Sequence, residues 1–316
     1  MVLGFCGAGE FVLTKIGLAA GAAVAAVLVS VGPANADALT AEQILDGFNV
    51  VVYGDASTPS DIEGAALVGG NFSGATVYNN PGSAGQPAGY GALTVYGNTT
   101  GNAININNGG SAYVGGSAGA QINFNGGGGY IGAPPESMAG IESTMDALST
   151  DLSGLAANSI LPPTGNNEVI KAMPGANGIA VFNITASQLA LIPSYSIDLN
   201  GASTVIFNVS GKSVTFGAND ESGVTGAHNI IWNFYQAQSV TLDTLIAGTV
   251  LAAGAAVANG NQIDGTLVAD SWTGSGEVHE YGFDGNLPPA IPEPASWTLL
   301  LSGLLAAGAS LRLRRR

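Results

Sequence analysis

Along most of the chain, short apolar runs alternate with small polar residues and are broken by Gly and Asn. FNVVVYGD (48–55) reads as a strand closed by a Gly-Asp turn. IEGAALVGGNFSGATVY (62–78) returns in altered form as GGSAYVGGSAGAQINF (109–124). Both hold G-x-A-x-V-G-G, starting at Gly64 and Gly110, and GALTVYGNTTG between them carries a similar unit. GTVLAAGAAV (248–257) and GTLVADSW (265–272) repeat the theme near the end. Short strands that recur about every 15–30 residues mark a β-solenoid, whose corners take Gly and Asn because these tolerate positive φ. An antiparallel sandwich with glycine-rich turns is the alternative. One segment breaks the pattern. Met138, Ile141, Met145, Leu148, Leu152 and Leu155 form one apolar stripe at helical spacing, so a helix is predicted over about 135–156, opened by the Pro pair at 134–135. Its stripe packs along one flank of the solenoid. Thr40 and Gln43 form a capping box for a short helix over 41–46.

Both ends carry longer apolar runs. Residues 16–31 follow Lys15, and Ala34-Asn35-Ala36 offers a small-x-small cleavage site before Asp37. This is a secretory signal peptide over 1–36, with a signal helix. Glu10 and the apolar residues around it fit that plan badly, so the true start is expected near Val12 or Leu13. Residues 295–311 are uncharged and long enough for a short transmembrane helix, with Trp297 near one end and Arg312, Arg314, Arg315 and Arg316 after it. A plain C-terminal anchor is the simple reading. However, Pro292-Glu293-Pro294, then the helix, then terminal arginines resembles the PEP-CTERM sorting signal of Gram-negative bacteria, here over 291–316. That resemblance implies an exosortase and the secretion machinery as partners. It also implies an inner-membrane intermediate held by the C-terminal helix, then release to the cell surface or matrix.

Composition narrows the partners. Between 37 and 291 there is no cysteine, and Lys171 and Lys212 stand against twenty acids, a net charge near -18. Such a surface repels nucleic acid and phospholipid headgroups. Stability must come from burial and backbone hydrogen bonds rather than disulfides.

Two blocks, 47–72 and 229–288, resemble the choice-of-anchor A domain, a secreted adhesive module whose members carry different C-terminal anchors. The sharpest likeness is Ile231-Trp232-Asn233-Phe234 with Gly248-Thr249-Val250-Leu251-Ala252; Ala253 stands where members often have proline. The second block also looks like the last coils of the ice-binding-protein solenoid. The resemblance implies a mainly β, right-handed β-solenoid over 37–288 with one flanking α-helix.

Chemistry is sparse. Glu277 and His279 share a strand face and, with Glu280, form the candidate metal or acid–base group. Asp61 with Glu63, and Asp220 with Glu221, are candidate calcium carboxylates, although neither pair has the spacing of a calcium loop. No nucleophile elbow, phosphate loop or zinc helix occurs, and no cofactor beyond Ca2+ is implied. Thr94, Thr99, Thr100, Thr204, Thr215, Thr241, Thr249 and Thr266 are scattered, with no regular threonine ladder. The expected function is non-enzymatic: a cell-surface or exopolysaccharide-matrix adhesive protein, with polysaccharide as its partner. Ice or mineral binding is the alternative, and glycan cleavage the second.

Intact-mass spectrometry of the exported protein checks the two ends. A product beginning at Asp37 and ending close to Pro292-Glu293-Pro294 is expected; one that retains Arg316 would make the tail a plain anchor.

Overall fold

Parallel pairing with registered side chains organises the described residues. The computed structural model describes residues 38–82, 86–163 and 165–289. The signal peptide with Ala34, Ala36 and Asp37, and the tail with Pro292, Glu293, Pro294, Arg312, Arg314, Arg315 and Arg316, lie outside them. No helix of the described residues is long and apolar enough to cross a membrane.

The strands build the expected β-solenoid, and every pairing among the named strands is parallel, which removes the sandwich alternative. Among the described residues, nine coils stack, each with up to three faces. On the first face the order runs Ile179–Thr185, Thr204–Ser210, Ile230–Asn233, the start of Thr249–Asn259, the start of Leu267–Gly274, Val50–Val52, Ala66–Val68, Leu93–Val95 and Ala112–Val114. Numbered in that order, coils 1–5 come from the second half of the sequence and coils 6–9 from the first. The chain therefore starts in the middle of the stack. It climbs to coil 9, returns to the bottom, and climbs again until Leu267 pairs with Val50. The two related G-x-A-x-V-G-G segments lie on coils 7 and 9, with Leu93–Val95 between them.

Helix α2 (Met138–Ser153) makes up most of the return path. Its cap is Ser137, whose hydroxyl accepts from the Gly140 N–H, rather than the Pro pair. Sixteen residues at 1.5 Å each span about 24 Å. That matches five coil steps of about 4.8 Å. The stripe Ile141, Met145, Leu148 and Leu152 is buried against outward residues of the first face, Val51, Leu67, Leu251 and Val268 among them. Helix α1 (Ala41–Gly47) has the expected reciprocal capping box between Thr40 and Gln43, and buries Ile44 and Leu45 in the same cluster. Inside the solenoid, Phe182, Phe207 and Trp232 stack in register, with ring centroids 4.7 and 4.1 Å apart.

The C-terminal end of α2 has no basic residue to meet its free carbonyls. A column of asparagines does that work. Asn183, Asn208 and Asn233 occupy successive coils, and their amides link Asn233 to Asn208 (2.9 Å) and Asn208 to Asn183 (3.0 Å). The same Nδ2 groups donate to the carbonyls of Leu155, Leu152 and Ser149. Ser149 Oγ returns a bond to Asn233 Oδ1 at 2.7 Å. Asn233→Leu would leave Ser149 and Asn208 with unmet groups in a buried site. It should lower the unfolding free energy in urea by about 1–3 kcal/mol, with a smaller loss for the exposed Asn183→Ala. Equal, negligible losses would show that the ladder is incidental.

Candidate functional site

The second face of each coil carries a lattice that the scattered threonines did not announce. In Ser-Val-Thr at 213–215 and again at 239–241, the valine points inward and the flanking hydroxyls outward, as strand alternation requires. Parallel pairing places these triplets in register with Ala256-Val257-Ala258 and Ser271-Trp272-Thr273. Higher up, Ser57 pairs with Thr273 and with Ser73. One outward column thus reads Thr215, Thr241, Ala258, Thr273, Ser57, Ser73. Thr100, next to the Phe72–Thr99 bridge, continues it. The other column reads Ser213, Ser239, Ala256, Ser271, Asp55, Asn71, Asn98. Ser239 Oγ donates to Ser213 Oγ at 3.0 Å across two coils. Spacing is about 4.8 Å along the columns and about 6.7 Å across them. Asp55 is the one charge among these positions. The expectation of no regular ladder is therefore corrected. The triplets are unevenly spaced in sequence, because coils differ in loop length, yet pairing aligns them. The repeated S-x-T triplet was the available signal.

On the lower half of this face, coils 2–5, the outward columns hold only Ser, Thr and Ala and carry no charge. Over coils 5–8 the face dips into a cavity of about 300 Å³ lined by Asp55, Ser57, Asn71, Ser73, Thr100 and Ser271, with Ala56, Trp272 and Thr273 completing it.

The third face holds the titratable groups. His279 and Asp264 pair across adjacent coils, and His279 Nδ1 lies 2.7 Å from Asp264 Oδ1. Its Nε2 lies 3.0 Å from Glu277 Oε2, so the structure does bring Glu277 and His279 together, and adds the buried Asp264. With both ring nitrogens held by carboxylates, the imidazole has no nitrogen free to shuttle a proton or bind a metal. Burial lowers the His279 pKa, but the hydrogen bonds and charges of Glu277 and Asp264 outweigh it and leave a net rise. Glu280 is separate. Its N–H donates to Glu63 Oε2, while burial, then the charges of Asp46 and Glu63, push its carboxyl up to about 7. Asp61 accepts from Asn79, and Glu63 also accepts from Asn80. Asp220 and Glu221 do not converge. Asp220 accepts from Tyr195 and Ser222, and Glu221 is exposed. Among the described residues no group of three His, Cys, Asp or Glu side chains is placed to hold a metal ion.

Residues 41–280 match a family model described as "Putative Ice-binding-like adhesive domain". No curated protein matches the sequence. Among solved structures, the chain is similar to an ice-binding protein from the Antarctic ascomycete Antarctomyces psychrotrophicus. The two are 12% identical over 75% of this chain and 96% of that one, with a TM-score of 0.37. An ice-binding protein from an Antarctic biological consortium is 14% identical over 74% and 86%, with a TM-score of 0.35. One from an Antarctic Flavobacteriaceae bacterium is 12% identical over 77% and 81%, with a TM-score of 0.29.

The third face fixes the pH response. Glu280 and His279 both have folded pKa values above their unfolded ones, so the folded state holds more protons between the two values. Their contribution is full below the unfolded values of 4.5 and 6.5, and is lost as pH rises through the folded ones. Burial raises Asp46, Asp146 and Asp220 in the same sense. Urea midpoints should fall between about pH 5 and pH 8, and Glu280→Gln should flatten that slope. A midpoint that climbs over this range would contradict the assignment.

Proposed function

We propose that this chain, which belongs to the ice-binding-like adhesive domain family, is a non-enzymatic exported module that holds an extended ordered surface against its second face. Ice is the surface this face fits best. The observation that carries the reading is the registered lattice of hydroxyls and methyls on coils 2–5. A crystal surface offers repeated sites in two directions, and only a rigid array with its own two-dimensional repeat meets many of them at once. Each contact is weak, but their sum over a pre-ordered face is not, because little side-chain entropy remains to be lost. Thr and Ala supply methyls that shed water, and Ser and Thr supply hydroxyls that bond it.

The absence of a free proton-transfer group in the Asp264–His279–Glu277 cluster supports a binding role over glycan cleavage. Family membership supports placement outside the cell or at its surface. Exosortase processing and retention in a polysaccharide matrix, as in choice-of-anchor A modules, rest on Pro292-Glu293-Pro294, the apolar run and the terminal arginines.

Thermal hysteresis and ice-crystal shaping test the reading. The purified protein should shape ice. Thr241→Tyr, which raises a bulky ring from the middle of the lower half, should cut the hysteresis about tenfold while leaving the far-ultraviolet dichroism unchanged. A wild-type protein that leaves ice growth unaltered would overturn ice as the surface.

A further inference from the structure

We propose that the cavity over coils 5–8 of the second face is a subsite for one neutral hexopyranose unit of a polysaccharide. This deepens the adhesive reading and rests on it only for the setting, since the cavity is argued from its own geometry. Three observations converge.

The first is shape. A lattice contact with a crystal needs a plane, and here the plane is interrupted. The short strand Ala56–Ser57 crosses between Trp272 and Phe72, two large inward neighbours, and contributes only a methyl to the row. Outside this row lies an open hollow of about 300 Å³, at the lower end of small-ligand sites, which suits a single sugar ring with its chain running out at both sides.

The second is the state of the polar groups. Asp55, Asn71 and Asn98 form a directional side-chain ladder up the corner. Asn71 donates its backbone N–H (2.7 Å) and Nδ2 (3.1 Å) to Asp55 Oδ1. Asn98 does the same to Asn71 Oδ1, at 3.2 and 2.7 Å. Ser117 N–H then donates to Asn98 Oδ1 at 2.8 Å. The ladder begins at a carboxylate. Its Oδ1 is doubly bonded and fixed, while Oδ2 takes no hydrogen bond from the described residues. The hydroxyls of Ser57, Ser73, Thr100, Ser271 and Thr273 likewise have no side-chain hydrogen bond within the described residues. A carboxylate with one oxygen held and the other open, in a hollow lined by five hydroxyls that can donate or accept, is the chemistry that recognises neighbouring hydroxyls of a sugar.

The third is charge. A single carboxylate among neutral hydroxyls supplies too little ligand charge for a calcium site. The same carboxylate in an acidic protein disfavours uronates and phosphates, which leaves the neutral glycan.

The test uses the full exported protein with three probes: maltotetraose, cellotetraose and tetragalacturonate. Amide chemical shifts are followed by NMR. At least one neutral tetrasaccharide should shift residues 55–57, 71–73, 98–100 and 271–273. Ser57→Trp, which fills the hollow from an exposed position, should abolish the shifts. Asp55→Asn, which keeps the Oδ1 ladder, should weaken binding about tenfold. Thr241→Tyr should leave glycan binding unchanged. A wild-type protein that binds a neutral glycan here but leaves ice growth unaltered would therefore count against the ice reading alone. Three results would overturn the subsite: neutral probes that bind nowhere on this face, binding that survives Ser57→Trp, or binding of tetragalacturonate equal to that of the neutral sugars.

Discussion

Every part of this protein depends on parallel, in-register hydrogen bonding between coils. Once Val50 pairs with Leu267 on one side and Ala66 on the other, each residue has a fixed neighbour above and below. Columns then become the unit of design, and each column repeats one chemistry. Inward columns are apolar or aromatic, and the Phe182–Phe207–Trp232 stack arises because identical registers place rings over one another. Outward columns divide among asparagine, hydroxyl and carboxylate. A buried column of unpaired amides would be costly, whereas stacked amides satisfy each other and still have a donor left for the helix.

The same constraint explains the route of the chain. Parallel coils of a single climb cannot close on themselves, and a chain that begins in mid-stack must cross the whole solenoid once. Helix α2 makes most of that crossing, about five of its eight coil steps. Where the two climbs meet, many contacts are remote in sequence. The buried Asn49 donates to the carbonyls of Gly265 and His279 and accepts from the Gly64 N–H. Thr266 Oγ1 donates to the Leu45 carbonyl, and Ser60 Oγ to that of Ser275. Glu63, Asp264, His279 and Glu280 cluster at this junction, so protonation bears on the one place where coil stacking is not continued by the next stretch of chain.

Much of this was legible in the sequence. The helical stripe from Met138 to Leu155, the Thr40–Gln43 box and the repeated G-x-A-x-V-G-G motif each depend on local spacing, and the structure keeps all three. The order of coils was not legible, because chain order and stacking order part company at Val50, and no local pattern records that Leu267 lies beneath it. The hydroxyl lattice was half legible. Among the described residues Ser-Val-Thr occurs twice and Ser-Trp-Thr once, but the intervals between them vary with loop length, and only pairing turns them into columns. The Glu277–His279 pair was legible as neighbours on one strand face. Its third member, Asp264, comes from the coil below, and it is Asp264 that turns a candidate base into a held imidazole.

The three faces divide the work, and this division makes the second face available for contact. The first face is covered by α1 and α2, and its outward residues are spent on stability. The third face carries Asp61, Glu63, Asp264, Glu277 and His279, a titratable strip in which Glu277 is exposed and Asp264 is buried. The second face has neither a covering helix nor more than one charge in its columns. A soluble protein does not need such a surface, since hydroxyl and methyl positions there would tolerate lysine or glutamate at little cost to the fold. Ser, Thr and Ala hold these positions throughout coils 2–5, and the proposed surface-binding role rests on that regularity. The exceptions, Asp55, Asn71 and Asn98, lie higher up, along the corner beside the hollow. Lattice and hollow are thus parts of one continuous face, and the two proposed roles divide it between coils 2–5 and coils 5–8.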